Sequence, residues 1–353
     1  MPEPILTVIC PGNRAAERYA LVLEYALRGR TAVIVTELKQ PLSGQRLLFA
    51  VPLDEAGIHS ELSSLLALLR THPGFLSGCT AGILIDGTGD LYTKAAAREL
   101  ALAVNRAGCL VIGRPLVEGT GSLLNFTVQA KSAGCSLEEA YRMAARDLVT
   151  RILSFSPPKM EKPDLLVLHA SSYKTSNTLA LWSRVRELLE PDCTITEIGL
   201  RNGSLEDCAG CPYTMCLHFG ERGSCFYGGV MVEEVYPAVR RADALLLLCP
   251  NYNDALSANL TACINRLTAL YRATPFFGKA LYGIVVSGYS GGDIVARQLV
   301  SSLCMNKAFY LPPDFCLLET ANDAGTALSL PGIEERLEAF AGQILRQLKP
   351  ENE

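Results

Sequence analysis

The chain has 353 residues, of which 49% are hydrophobic and 19% charged, enough apolar material for two domain cores. A formal net charge of −4 gives no electrostatic basis for binding nucleic acid or an anionic membrane. The N-terminal residues lack the basic region and apolar length of an export signal, and no stretch reaches transmembrane length; thirteen cysteines in such a chain imply a reducing, cytoplasmic setting with free or metal-bound thiols.

In chain order, residues 5–10 read as a strand, 14–27 as a helix, 31–38 and 46–52 as strands, 58–69 as a helix, 81–85 as a strand, 93–107 as a helix, 109–112 as a strand and 136–155 as a closing helix. Short apolar runs mark the strands. Apolar residues at helical spacing mark the helices, as Leu137, Ala140, Met143, Leu148 and Ile152 do in the last. Strands alternating with helices predict a parallel sheet covered on both faces. Ser156, Pro157, Pro158 and Lys159 read as a linker. Beyond it the pattern repeats, with strands expected at 165–169, 194–200, 244–249, 281–287 and 308–311 and helices at 177–190, 229–242, 257–272, 293–305 and 332–348.

The expected fold class is therefore α/β, with two tandem flavodoxin-like, doubly wound parallel sheets over 1–158 and 163–350. The second carries a cysteine-rich insert at 205–228. The halves echo each other in letters: 82–89 resembles 283–292, 96–101 resembles 295–300, and 48–56 resembles 246–255. An internal duplication is expected, with the first copy degenerate. Where the second half has a loop rich in hydroxyls, the first has 11–18, with few donors and with Glu17, which would repel a phosphate.

The chemistry is expected in the second half. After the strand at 165–169 comes a polar loop with Ser171, Ser172, Thr175 and Ser176, then Asn177 and Thr178 at a helix start. Strand, polar loop and helix N-terminus form an arrangement that holds a phosphate with backbone N–H groups, side-chain donors and the helix dipole. Two further loops follow strands of the same sheet: Pro250, Asn251, Tyr252 and Asn253, then Ser287, Gly288, Tyr289 and, closing the turn, Gly292. In a doubly wound sheet all three meet at one edge, where glycines let backbone approach a flat ring. No nucleophile–histidine–acid set is present, which argues against hydrolysis. His169, ending the first strand of this half, is expected to be structural.

These loops make the second half, over about 163–318, resemble the NAD(P)H-dependent FMN reductase family of flavodoxin-like proteins. The family's phosphate loop is close to G-S-P-R-x-x-S-N-T, and here reads A-S-S-Y-K-T-S-N-T. The resemblance implies that Ser171, Ser176, Asn177 and Thr178 hold FMN phosphate, with Tyr173 in place of the usual arginine and Lys174 able to supply the positive charge. It implies that Pro250, Asn251, Tyr252 and Asn253 lie along the isoalloxazine ring, and that Ser287, Gly288, Tyr289 and Gly292 close its other edge. Four of the thirteen cysteines, Cys208, Cys211, Cys216 and Cys225, form a compact group. This group resembles the motif of the family's iron–sulfur flavoprotein branch, with a wider last spacing. Thiolates on a short loop suit a [4Fe–4S] cluster or tetrahedral zinc, and free thiols are the third reading. His218 is a competing ligand.

The expected function is flavin-dependent electron transfer from NADH or NADPH, through FMN, to a small-molecule or protein acceptor. The protein supplies positioning and electronic tuning, and no acid–base residue is required. The rival readings are an FMN and iron–sulfur electron carrier without nicotinamide turnover, and a binding module that has lost its flavin. The family's flavin commonly lies at a dimer interface, so the first half is expected to stand in for a second subunit, with further homo-oligomerisation.

Overall fold

Strands buried on both faces are written as unbroken apolar runs, because neither face needs polar side chains. In the computed structural model, which describes residues 5–12, 17–171 and 175–350, ten strands form two five-stranded sheets, and those at the centre of each sheet are such runs. One unit takes in the chain to Ser156 together with Leu311–Asp314, and the other the remainder.

The first unit contains β1 (Leu6–Ile9), β2 (Ala32–Val35), β3 (Arg46–Leu53), β4 (Thr80–Gly87) and β5 (Leu110–Gly119), all parallel in the order β2-β1-β3-β4-β5. Around them lie α1 (Glu17–Leu27), α2 (Ser60–Thr71), α3 (Thr93–Arg106), α4 (Thr127–Ala133) and α5 (Leu137–Ser154). The α5 start follows from its sequence. Ser136 Oγ accepts from the Glu139 N–H at 3.1 Å, and Glu139 Oε2 accepts from the Ser136 N–H at 2.9 Å, which satisfies two otherwise orphaned donors.

The second unit contains β6 (Asp164–His169), β7 (Thr194–Gly199), β8 (Ala244–Pro250), β9 (Ala280–Ser287) and β10 (Cys316–Thr320). They are parallel in the order β10-β9-β8-β6-β7. Its helices are α6 (Asn177–Leu189), α7 (Tyr213–Glu221), α8 (Tyr236–Arg241), α9 (Ala258–Ala273), α10 (Gly292–Leu299) and α11 (Ile333–Leu348). Counted from its own first strand, each sheet has the flavodoxin-like order 2-1-3-4-5, in which ligands bind beyond the carboxyl ends of the strands at the switch point. The echoed segments fall on matching elements: 48–56 and 246–255 on β3 and β8, 82–89 and 283–292 on β4 and β9, 96–101 and 295–300 on α3 and α10.

Three expectations need correction. The last strand is not 308–311 but β10, which pairs Cys316–Thr320 with Gly283–Ser287. Tyr310 makes a single parallel bridge to Ala280, and the chain then meets Pro312 and Pro313, which have no N–H to continue a ladder. The fifth strand does not stop at Ile112: its register with β4 jumps from Ala81↔Val111 to Ile83↔Leu116 across a bulge holding Arg114 at φ 50°. Arg151 secures that bulge by donating from Nη1 to the carbonyls of Gly113 and Arg114 at 2.9 and 3.1 Å. The helices expected at 229–242 and 293–305 each include a wider π-helical turn, Met231–Val235 and Val300–Met305. The expected helix start at Arg14 lies outside the described residues.

No described helix is long and apolar enough to cross a membrane.

Candidate functional site

At the carboxyl edge of β6, β8, β9 and β10 lies a cleft of about 680 Å³. Ser171, Thr175, Ser176, Asn177 and Thr178 line one part, Pro250, Asn251 and Tyr252 another, and Gly288 and the segment after β10 a third. The first turns of both α6 and α9 open onto it, through Asn177 and Thr178 and through Ala258 and Asn259. First-turn N–H groups lack intrahelical partners and carry the positive end of the dipole, so the cleft suits an anion. None of the described residues lining it is Asp, Glu, Lys, Arg or His.

The hydroxyls act as a group. Ser176 caps α6: its Oγ accepts from the Leu179 N–H at 3.4 Å and lies 3.2 Å from Ser171 Oγ and 2.9 Å from Thr178 Oγ1. Thr178 is only 1% exposed, so its hydroxyl is fixed in the wall. Asn177 differs from expectation, because its side-chain amide is committed elsewhere. Nδ2 donates to the carbonyls of Ala321 and Asp323 at 3.1 and 2.9 Å, and Oδ1 accepts from the Ala327 N–H at 3.1 Å. Asn177 therefore ties the start of α6 to the segment after β10, leaving its backbone N–H as the group available to an anion. Tyr173 and Lys174 lie outside the described residues.

The second and third loops are joined by Asn251. Its Nδ2 donates to Ser287 Oγ at 3.1 Å, Ser290 O at 3.0 Å and Asp254 Oδ1 at 3.2 Å. Its Oδ1 is buried with no hydrogen-bond partner among the described residues, a poised acceptor beside the cleft. Asn253 and Asp254 take φ values of 54° and 57° between the paired Tyr252 and Ala255, which makes a tight turn of the kind Asn and Asp tolerate. Asn253 therefore contributes backbone shape and is not a lining residue. Gly291, at φ 84°, starts α10, and a Cβ there would sit 2.0 Å from Asp254 Oδ1, so only glycine lets the two loops approach. Ser287 is buried behind Asn251, Gly292 lies in the first turn of α10, and Tyr289 is 81% exposed; none of the three lines the cleft.

His169 has a structural place. Its Nε2 lies 3.4 Å from Glu197 Oε1, and Glu197 Oε2 accepts from Trp182 Nε1 at 2.8 Å.

The corresponding edge of the first unit is built differently. Arg18, second residue of α1 as Thr178 is of α6, forms a bidentate pair with Asp86 at the end of β4: Nε to Oδ2 at 3.0 Å and Nη2 to Oδ1 at 2.9 Å. The guanidinium also donates to the carbonyls of Gly87, Thr120 and Gly121 at 2.8, 2.9 and 3.2 Å. The Tyr141 hydroxyl donates to Asp86 Oδ2 at 3.1 Å. Burial, with the Asp86 carboxylate adding to it, holds the Tyr141 phenol well above its ordinary pKa. A cation and a carboxylate thus occupy the helix start that in the second unit faces open space. The sequence shows Glu17 but not this pairing, which joins residues 68 positions apart.

The four cysteines of the insert line a second, smaller cavity of about 220 Å³, shared with Phe219, Tyr227, Arg266 and Arg272; His218 does not line it. Among the described residues no three His, Cys, Asp or Glu side chains stand together as ligands of one ion. The four thiols line the cavity wall. The insert carries its own helix, α7.

Thiol chemistry should separate these cysteines from the rest. Burial pushes the thiols of Cys109 and Cys249 well above their ordinary range, Cys193 up to about 11 and Cys263 up to about 12. Cys208 is exposed, and Cys211, Cys216, Cys225 and Cys135 are half-buried, while the other eight are buried. In reduced, metal-stripped native protein at pH 8, a thiol reagent is expected to label those five quickly and the eight only after denaturation. Equal labelling of all thirteen in the native state would contradict the structure.

A family profile described as NADPH-dependent FMN reductase matches residues 163–323. Among solved structures, the chain is similar to an NADH:FMN oxidoreductase in its apo form, with 16% identity and a TM-score of 0.38 over 54% of this chain and 92% of that one. It is similar to an NAD(P)H:quinone oxidoreductase from Methanothermobacter marburgensis, with 15% identity and a TM-score of 0.39 over 54% and 100%. An FMN-dependent NADH-azoreductase from Bacillus anthracis, in complex with FMN, is similar at 12% identity and a TM-score of 0.35 over 52% and 99%. No curated protein matches the chain.

Proposed function

We propose that the second unit binds FMN in the larger cleft and uses it to pass electrons from NADH or NADPH to a small-molecule or protein acceptor. The observation that carries this reading is a cleft whose described lining has no charged side chain, onto which two helix N-termini and a linked set of hydroxyls open, within the segment matched by the FMN reductase profile. Ser171, Ser176 and Thr178 with the first-turn N–H groups of α6 hold the phosphate. Pro250, Asn251 and Tyr252 with Gly288 border the ring, and Asn251 keeps their two loops in register. The buried Asn251 Oδ1, unpaired among the described residues, fits a polar-edged ligand. FMN, when bound, supplies the redox chemistry, taking hydride from the nicotinamide and returning electrons to the acceptor. The chain's own part is to bind, orient and hold that ring.

We read the first unit as a copy that kept the sheet order and lost the phosphate site; the Arg18–Asp86 pair supports this. The cysteine cavity we assign to an iron–sulfur cluster of the [4Fe–4S] type, on the strength of four thiols around one space. Protein loaded with FMN and mixed anaerobically with NADPH or NADH is expected to lose its flavin absorbance in a single-turnover reaction, and to regain it with an added quinone or ferric acceptor. A flavin band that neither nicotinamide bleaches would overturn the reductase reading.

A further inference from the structure

Arg266 is 3% exposed, and among the described residues its guanidinium donates to carbonyls and to no carboxylate. Burying a guanidinium is costly unless hydrogen bonds or an opposite charge offset it. Its Nη1 donates to the Glu206 carbonyl at 3.4 Å and its Nη2 to the Gly228 carbonyl at 2.7 Å. Those carbonyls stand at the two ends of the cysteine-bearing insert. The neighbouring Asn265 adds a tie, donating from Nδ2 to Asp207 Oδ1 at 3.0 Å, and that oxygen also accepts from the Cys208 N–H at 2.6 Å. The Tyr236 hydroxyl donates to the Arg266 carbonyl at 2.7 Å and fixes the α9 backbone beneath. What remains is Nε, buried and without a hydrogen-bond partner among the described residues, on a side chain that lines the four-thiol cavity.

Two further cations stand at or beside the cavity. Arg272 lines it, with its guanidinium 4.3 Å from the Tyr213 ring centroid. Lys307 lies close enough to Arg272 and Cys208 to feel both charges. The Asp207 carboxylate is engaged with Asn265 and the Cys208 backbone. A space walled by thiols and faced by a buried cation suits an occupant with net negative charge. Four thiolates binding a cluster give such a charge.

We propose that Arg266 is the clasp that closes the insert and the counter-charge of the cavity inside it, stabilising an anionic, thiolate-ligated cluster and its reduced form in particular. This rests on the cluster assignment above; the clasp can be tested without it. Reduction adds negative charge, so removing the cation should disfavour the reduced form and lower the potential. Lysine keeps the charge but replaces a two-armed fork with a single point donor.

The test compares wild type, Arg266→Gln and Arg266→Lys as full chains. In iron-free protein, hydrogen exchange over 205–228 is expected to rise at least tenfold in both variants, with the rest of the second unit unchanged. After anaerobic reconstitution with ferrous iron and sulfide, Arg266→Gln is expected to show a lower cluster potential by at least tenfold in the one-electron equilibrium constant, about 59 mV. Arg266→Lys should stay near wild type in potential yet release iron to a chelator faster. If Arg266→Gln matches wild type in exchange and in potential, the proposal is overturned. If wild type retains no iron or sulfide while the exchange difference persists, the cluster assignment and the counter-charge role fall and the clasp stands.

Discussion

Changing Ser176 to alanine and Thr178 to valine together is expected to weaken FMN binding by about 10²–10⁴-fold. The two hydroxyls lie 2.9 Å apart at the start of α6, and each can donate to a phosphate oxygen. A hydrogen bond to a charged group is worth roughly 1.5–3 kcal/mol, so losing two removes about 3–6 kcal/mol, at about 1.4 kcal/mol per tenfold. Valine keeps the shape of a side chain that is 1% exposed, and the partner of the hydroxyl it removes, Ser176 Oγ, is removed in the same variant, so neither is left unsatisfied by the other. Ser176 also caps the helix, and its loss should cost about 1 kcal/mol of stability, small against the binding effect. Quenching of FMN fluorescence during titration measures the dissociation constant, and circular dichroism monitors folding in the same samples. A dissociation constant within threefold of wild type in the folded double variant would remove these hydroxyls from the phosphate site.

In the first unit, Arg18→Met is expected to destabilise the fold by about 3–5 kcal/mol. The change leaves the Asp86 carboxylate, 2% exposed, without its guanidinium, and breaking one side of a buried pair leaves an uncompensated charge. Tyr141 would remain as a donor to Asp86, which places the loss below that of full isolation. For a unit of this size the midpoint temperature should fall by roughly 6–20 °C. Adding Asp86→Leu to Arg18→Met should recover most of the loss, because an apolar pair carries no desolvation penalty. Denaturant unfolding of the three variants decides it. A double variant no more stable than Arg18→Met would mean that the pair does more than satisfy itself, contrary to its reading as a plug.

How much of this was legible in the letters follows from which interactions are local. β3, β4, β8 and β9 are apolar runs buried on both faces, so their period and length were readable. The capping set at Ser136 and Glu139 spans three residues and was readable for the same reason. The order strand, hydroxyls, helix start in the second unit is also local, and the described hydroxyls of that stretch line the cleft. The fifth strand of the second sheet was misplaced because 308–311 is as apolar as 316–320, and pairing register, which chooses between them, is not written in either segment.

The misses at the sites share one cause. Asn177 reaches residues 144 to 150 positions away, Arg18 reaches Asp86 at 68 and Thr120 at 102, and Arg266 reaches Gly228 at 38 and Glu206 at 60. Periodicity carries no record of such partners. Asn177 looked like a phosphate donor because its type is right and its place is right. Its side chain serves instead to hold the far wall of the cleft, a role visible only once the segment after β10 is in position. The cysteine group could be found by counting; the arginine that closes it could not.

The most direct measurement is an equilibrium titration of flavin-free protein with FMN, read by fluorescence quenching and closed by mass spectrometry of the native complex. Binding at the second unit alone, with the first unit's edge filled by Arg18 and Asp86, predicts saturation at one FMN per chain. Saturation at two per chain, or no quenching at any concentration up to the millimolar range, would contradict the account.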